Sequence, residues 1–192
     1  MKIRTDFVSN SSSSSFIVIK CTNIEYPNFY GQEIAIPNTE FGHCEFGWSF
    51  KKYYSFGDKL NFCALILNEV LMLKDTINYY EKILAKDNLS SYMKDWHKQV
   101  ISDAKKLYAR YDDMKNMLTD VCKEKFNLEI HIINPEAYNI YAYIDHQSGP
   151  LEDPSIIEMF DNEDKLLDFL ASNDSYIATG NDNDDAPEGW YE

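Results

Sequence analysis

Long apolar runs are missing from this 192-residue chain. The longest, Cys63 to Leu67, is far short of the roughly 20 residues that a membrane-spanning helix requires. The start, Met1-Lys2-Ile3-Arg4, is mildly basic but leads into serines instead of an apolar segment, so no secretory signal is expected and the chain is placed in the cytoplasm. Cysteine is scarce and unpatterned. Cys21, Cys44, Cys63 and Cys122 show no Cys-x-x-Cys spacing, which reads as buried thiols of a reducing compartment rather than disulfides. The histidines His43, His97, His131 and His146 are equally scattered. Only His43 adjoins a cysteine, and neighbours on an extended chain point to opposite faces, so no metal and no cofactor is expected.

Basic residues are nearly absent from the last third. Residues 1–60 and 61–127 carry net charges of 0 and +1, whereas residues 128–192 hold sixteen acidic residues against Lys165 alone, for a net charge of −15. Such a region repels phosphates, which excludes direct binding of nucleic acid through it and favours a basic protein partner. The expected contact carboxylates are Asp161, Glu163, Asp164, Asp168, Asp182, Asp184 and Asp185.

What is present is enough for a core: 44% of the residues are hydrophobic and 15% aromatic, which excludes disorder of the whole chain. The clearest pattern lies in the middle. Cys63, Ile66, Val70, Leu73, Ile77, Tyr80 and Leu84 recur in steps of three and four, as do Met93, Trp96, Val100, Ala104, Leu107, Tyr111, Met114, Leu118 and Val121. These stripes predict two helices of roughly 29 and 33 residues folded into an αα-hairpin over 58–126. Asp58 is the expected N-cap of the first helix and Ser90 or Ser91 that of the second. Phe62, Leu65, Leu67, Leu71 and Met72 lie off the first stripe, so the first half of that helix should be buried all round, and its far half should project.

The flanks read as strands: Phe16 to Cys21, Gln32 to Ile36, Glu45 to Tyr54, then Leu128 to Ile133 and Tyr138 to Asp145 as a hairpin about Asn134-Pro135-Glu136-Ala137. A short helix at Glu163 to Ala171 and a last strand at Tyr176 to Ala178 follow. The expectation is a single α+β domain over 1–192: an antiparallel or mixed sheet, an inserted long antiparallel αα-hairpin, a short C-terminal helix, and an acidic tail over 180–192.

Asn10 and Ser11, Ser12, Ser13, Ser14 and Ser15 lie between two apolar pairs and predict a short loop whose hydroxyls and N–H groups could hold a phosphate, although no Gly-Lys-Ser/Thr ending makes it a Walker loop. Residues 1 to 16, Met-Lys-Ile-Arg-Thr-Asp-Phe-Val-Ser-Asn-Ser-Ser-Ser-Ser-Ser-Phe, resemble the start of a family of short uncharacterised proteins from Firmicutes, their phages and mobile elements. The resemblance extends to Tyr143–Ser148 and Ser175–Asn183 and leaves out the central helices. It implies relatives but no reaction.

Two function classes follow. The first is a non-enzymatic acidic protein that binds a basic, nucleic-acid-handling partner. The resemblance adds the image of an inhibitor of host defence that imitates DNA, in the manner of anti-CRISPR proteins. The second is a small enzyme or ligand-binding protein in which His146 acts as base, Asp145 as its orienter and Ser13 as nucleophile, beside the serine loop. Oligomerisation through the hairpin is a third use. Asn181, Asn183 and Asp185 alternate like calcium ligands, but Ala186 stands where the sharp turn needs glycine, so the tail reads as a solvated acidic segment. The first class is the expected one.

Overall fold

The computed structural model describes residues 13–47, 49–86, 89–144, 149–151 and 153–181. The chain is α+β, with its β-structure divided into three small sheets. Strand β1 (Ser13–Val18) pairs antiparallel with the last strand, β7 (Tyr176–Asn181), which pairs antiparallel with β4 (Lys51–Tyr53). Strand β2 (Gln32–Ile36) runs parallel to β5 (Leu128–Ile132), and β3 (Glu45–Phe46) runs parallel to β6 (Tyr143–Ile144).

Several expectations are corrected here. The single strand expected over Glu45 to Tyr54 is split between two sheets at Gly47, whose φ of 153° bends the chain away. The hairpin after Leu128 does not form. Asn134 caps its own turn by accepting from Glu136 N–H, Pro135 opens a 3-10 turn at Glu136–Tyr138, and Asn139 closes it in the left-handed region. Strands β5 and β6 therefore leave in different directions, each to a parallel partner. Ser13, Ser14 and Ser15 stand opposite Asn181, Gly180 and Thr179 in a strand ladder, so that part of the serine run is a strand rather than a loop. Gly180 and Asn181 likewise belong to β7 rather than to a tail.

Helix α1 (Phe56–Leu84) begins one turn before the expected cap. Ser55 is the N-cap, its hydroxyl accepting from Asp58 N–H at 3.1 Å, and Asp58 is the third residue in. Residues Gly57 to Leu67 are buried without interruption, as the apolar excess of that half predicts. Leu71 and Met72 break that expectation and lie exposed, on the side of α1 away from the buried Val70, Leu73 and Ile77.

The second arm of the hairpin is two helices, α2 (Ser91–Tyr108) and α3 (Tyr111–Phe126). No Pro or Gly marks the break. At Arg110 the backbone N–H bonds the carbonyl of Leu107 three residues back, and the guanidinium reaches Phe160 O at 3.2 Å and Asp161 Oδ1 at 3.4 Å, which ties the bend to the end of the 3-10 helix Pro154–Phe160. Ser90 caps α2 as expected. The buried face of α2 is His97, Ile101, Ala104 and Leu107, so Trp96 and Val100 of the expected stripe sit at its margin. Helix α1 packs on α2 and α3 and on α4 (Glu163–Ala171) around one core that includes Leu60, Phe62, Ile66, Leu118, Phe126, Phe160 and Phe169.

Candidate functional site

Three polar side chains are buried in the first turns of α1, where the surroundings are otherwise apolar: Asp58, Lys59 and Asn61. They are there because the helix start is pressed against the Phe41–Gly42 backbone. A Cβ on Gly57 would lie 1.9 Å from Phe41 O and one on Gly42 would lie 2.4 Å from Gly57 C, so neither position has room for a side chain. Each buried polar group then holds a different segment. Asn61 exchanges bonds with Asn38, accepting from its N–H and donating to its carbonyl, both at 2.9 Å, and also donates to His43 O at 3.1 Å. Asp58 Oδ1 accepts from His43 N–H at 2.7 Å and lies 2.8 Å from His43 Nδ1. Lys59 Nζ donates to Ser172 O, the C-cap residue of α4, at 2.8 Å.

Their charges are shifted by these surroundings. Burial alone would raise the carboxyl of Asp58, but the bonds from His43 N–H, Ser55 and the His43 ring together hold it below its ordinary 3.8, so it is ionised at neutral pH. Burial pushes Lys59 down to about 8, against weaker opposing pulls from Cys63 and Asp58. Burial pushes the Cys44 thiol up to about 11.

The loop held by Asn61 and Asp58 forms one wall of a cleft of about 580 Å³, lined among others by Glu40, His43, Glu45, Ser49, Lys51, Tyr53 and Tyr143. His43 stands at its wall with its ring 60% exposed, edge-on to Tyr53 at 5.1 Å between centroids. Its neighbour Cys44 is buried on the other side, 3.4 Å from the Asn61 amide nitrogen, so the two soft ligands are not brought together. Among the described residues no group of three or more His, Cys, Asp and Glu could hold a metal ion. None of the helices is long and apolar enough to cross a membrane, again among the described residues.

Of the expected contact carboxylates, Asp161 lies just before α4, and Glu163, Asp164 and Asp168 lie along it. Asp161 and Glu163 meet cations: Asp161 pairs with Arg110 and, at 2.8 Å, with Lys165, and Glu163 pairs with Lys125 at 3.0 Å. The acidity of the last third is thus partly offset in space by cations of α3 and of the bend before it. Asp164 and Asp168, four residues apart on one helix face, have no cation within ion-pair distance among the described residues, and the carboxyl of Asp168 is raised by burial and by Asp164. Asp182, Asp184 and Asp185 lie outside the described residues, as do Asp145, His146, Asn10, Ser11 and Ser12.

No protein-family model matches this chain, and no curated protein or solved structure does either.

Sequence reasoning missed His43 and Asp58 as a pair, because they are fifteen residues apart and meet only when the 38–44 loop packs on Gly57. The available signal was the polar set Asp58, Lys59 and Asn61 inside the apolar half of α1.

Proposed function

We propose that this chain is an interaction protein that meets a basic protein partner with the carboxylates of α4 and the acidic segment beyond β7. One observation carries the reading. Asp164 and Asp168 face each other at i,i+4 without a cation, an arrangement that costs a helix about 0.2–0.5 kcal/mol, while the nearby cations Arg110, Lys125 and Lys165 are engaged by Asp161 and Glu163. A surface selected for solubility alone has no need of that repulsion. A basic partner would relieve it and would be guided to this end of the molecule by its charge. The resemblance of residues 1–16 to proteins of phages and mobile elements makes a nucleic-acid-handling host protein the fitting partner, with the carboxylates in the place of phosphates, as in an inhibitor of host defence.

The test is capture from a bacterial lysate on the immobilised chain, against a variant with Asp161, Glu163, Asp164, Asp168, Asp182, Asp184 and Asp185 neutralised to their amides. Raising the salt from about 0.1 M to about 1 M shortens the screening length from about 10 Å to about 3 Å. A basic protein held at low salt, released at high salt and absent from the variant supports the reading. Equal retention by the two proteins overturns it.

A further inference from the structure

His43 and its cleft lie apart from the carboxylates of α4, and a role in protein binding leaves them unused. The imidazole is held as a base is held. An ionised carboxylate can only accept, and Asp58 Oδ1 takes both the backbone N–H and Nδ1 of the same residue, so Nδ1 carries a proton and in the neutral ring the lone pair is left on Nε2. Nε2 has no hydrogen-bond partner among the described residues, and it is the nitrogen left to the cleft. A loop staple would need only the backbone bond. Fixing the ring as well, from a buried carboxylate on a helix turn that Ser55 caps, sets the tautomer and orientation of an exposed imidazole.

The surroundings narrow the chemistry. Cys44 cannot serve as nucleophile, because its thiol is buried, points to Gly42 O at 3.7 Å and is pushed up to about 11. Glu40 and Glu45 line the cleft against one ammonium, Lys51, so a phosphate ester would meet net repulsion while an uncharged carbonyl compound would not. Among the described lining residues, Lys51 is also the one lysine that could approach a developing oxyanion.

We infer that His43 is a general base for the hydrolysis of small uncharged esters by water in this cleft, with Asp58 as its positioning residue and Lys51 facing the carbonyl oxygen. Water gives a proton to Nε2 as its oxygen bonds to the carbonyl carbon. The bond to the alkoxy oxygen then breaks, and that oxygen takes the proton back from the imidazolium. The products are the acid and the alcohol, and the imidazole returns to its starting state.

The experiment uses the full chain with p-nitrophenyl acetate as the probe. The expected result is hydrolysis above the buffer rate that rises as one imidazole loses its proton, is slower in heavy water and shows no initial burst. His43→Gln, on an exposed ring that the fold does not need, should lower the rate by about 100-fold or more. Asp58→Asn should lower it without abolishing binding, seen as a fall in kcat at near-constant KM. His131→Gln, which removes an exposed histidine that pairs with Glu33 away from the cleft lining, should leave it unchanged. Long-range nitrogen-15 spectra of the wild type should place the proton on Nδ1 of His43. A rate no higher than buffer, a rate that survives His43→Gln, a burst equal to the enzyme concentration, or a proton on Nε2 each overturns the inference. Because none of these readouts depends on α4, failure here leaves the interaction reading to its own test.

Discussion

Replacing Lys59 with methionine should remove a pH dependence from the stability of this protein. Lys59 is 1% exposed, and its amine has one hydrogen bond, to Ser172 O, with no carboxylate within ion-pair distance among the described residues. Burial lowers it from an ordinary 10.5 to about 8. At about 1.4 kcal/mol per pH unit, that fall is a penalty of roughly 3 kcal/mol for carrying the charge in the folded state. The sign follows from proton counts. Between about 8 and 10.5 the unfolded chain holds a proton that the folded chain has lost, so stability rises with pH through this window, and below it the full penalty applies.

Methionine fills a similar volume without a charge and leaves Ser172 O without its donor, a loss of about 1–3 kcal/mol that does not vary with pH. The variant should therefore match or exceed the wild type at pH 7 and fall below it at pH 10, a swing of roughly 3 kcal/mol between the two. Tyr53, Tyr111 and Tyr176, all raised by burial, weaken both proteins equally at high pH and cancel in the comparison. The Cys63 thiol, raised by burial, acts in the same direction in both proteins. Urea unfolding of both proteins at pH 7, 8.5 and 10 measures the swing, and a difference in stability that is constant across the three would refute the reasoning.

The same helix start supports three further predictions. Gly57→Ala should destabilise by about 3 kcal/mol or more, because its Cβ would meet the Phe41 backbone and no rotamer relieves the clash, and a large fall in Tm checks it. Asp58→Asn should cost stability at neutral pH and none in strong acid: the carboxyl is held below 3.8, so its contribution is complete above that pH and is lost as pH falls through the folded value. Acid titrations of the two proteins followed by circular dichroism should converge at the acid end. Ser90→Ala should cost about 1 kcal/mol by freeing Met93 N–H at the start of α2, measured by urea unfolding.

The elements whose causes are local were legible in the sequence, and those whose causes are distant were not. The stripe of α1 and the nine residues of α4 follow from helical spacing and from caps within one turn, Ser55 and Asn162. Even there the cap of α1 was misplaced by one turn, since Ser55 and Asp58 are both good caps and only the packing of Gly57 on Phe41 decides between them. The bend between α2 and α3 depends on Arg110 reaching Phe160, fifty residues away, with no Pro or Gly to announce it. The turn at Asn134-Pro135 carries an honest hairpin signal, but the partners of the strands that flank it are β2 and β3, about a hundred residues earlier. The candidate cleft was hidden for the same reason, because His43 becomes a held base only through a helix turn that follows it at a distance. The surface carboxylates were legible as a composition, yet the cations that meet Asp161 and Glu163 were not.

The two candidate surfaces differ in what the fold demands of them. Three buried polar groups in one helix turn are costly: Lys59 also sits near the positive end of the α1 dipole, and a carboxylate and an amide are taken out of water beside it. An apolar turn would pack as well, so the return on that cost is position. Asn61 fixes the 38–44 loop, Asp58 fixes the ring of His43, and Lys59 fixes the end of α4. The carboxylates of α4 are different, since they are largely exposed, their ion pairs are worth little, and the Asp164 and Asp168 repulsion is a few tenths of a kcal/mol. Charge can therefore be removed from α4 with the fold intact, whereas the α1 turn tolerates little change apart from the exposed ring it positions. For that reason His43→Gln and the neutralised α4 are the two substitutions that separate a role in the cleft from a role in the acidic face, each leaving the other surface as it was.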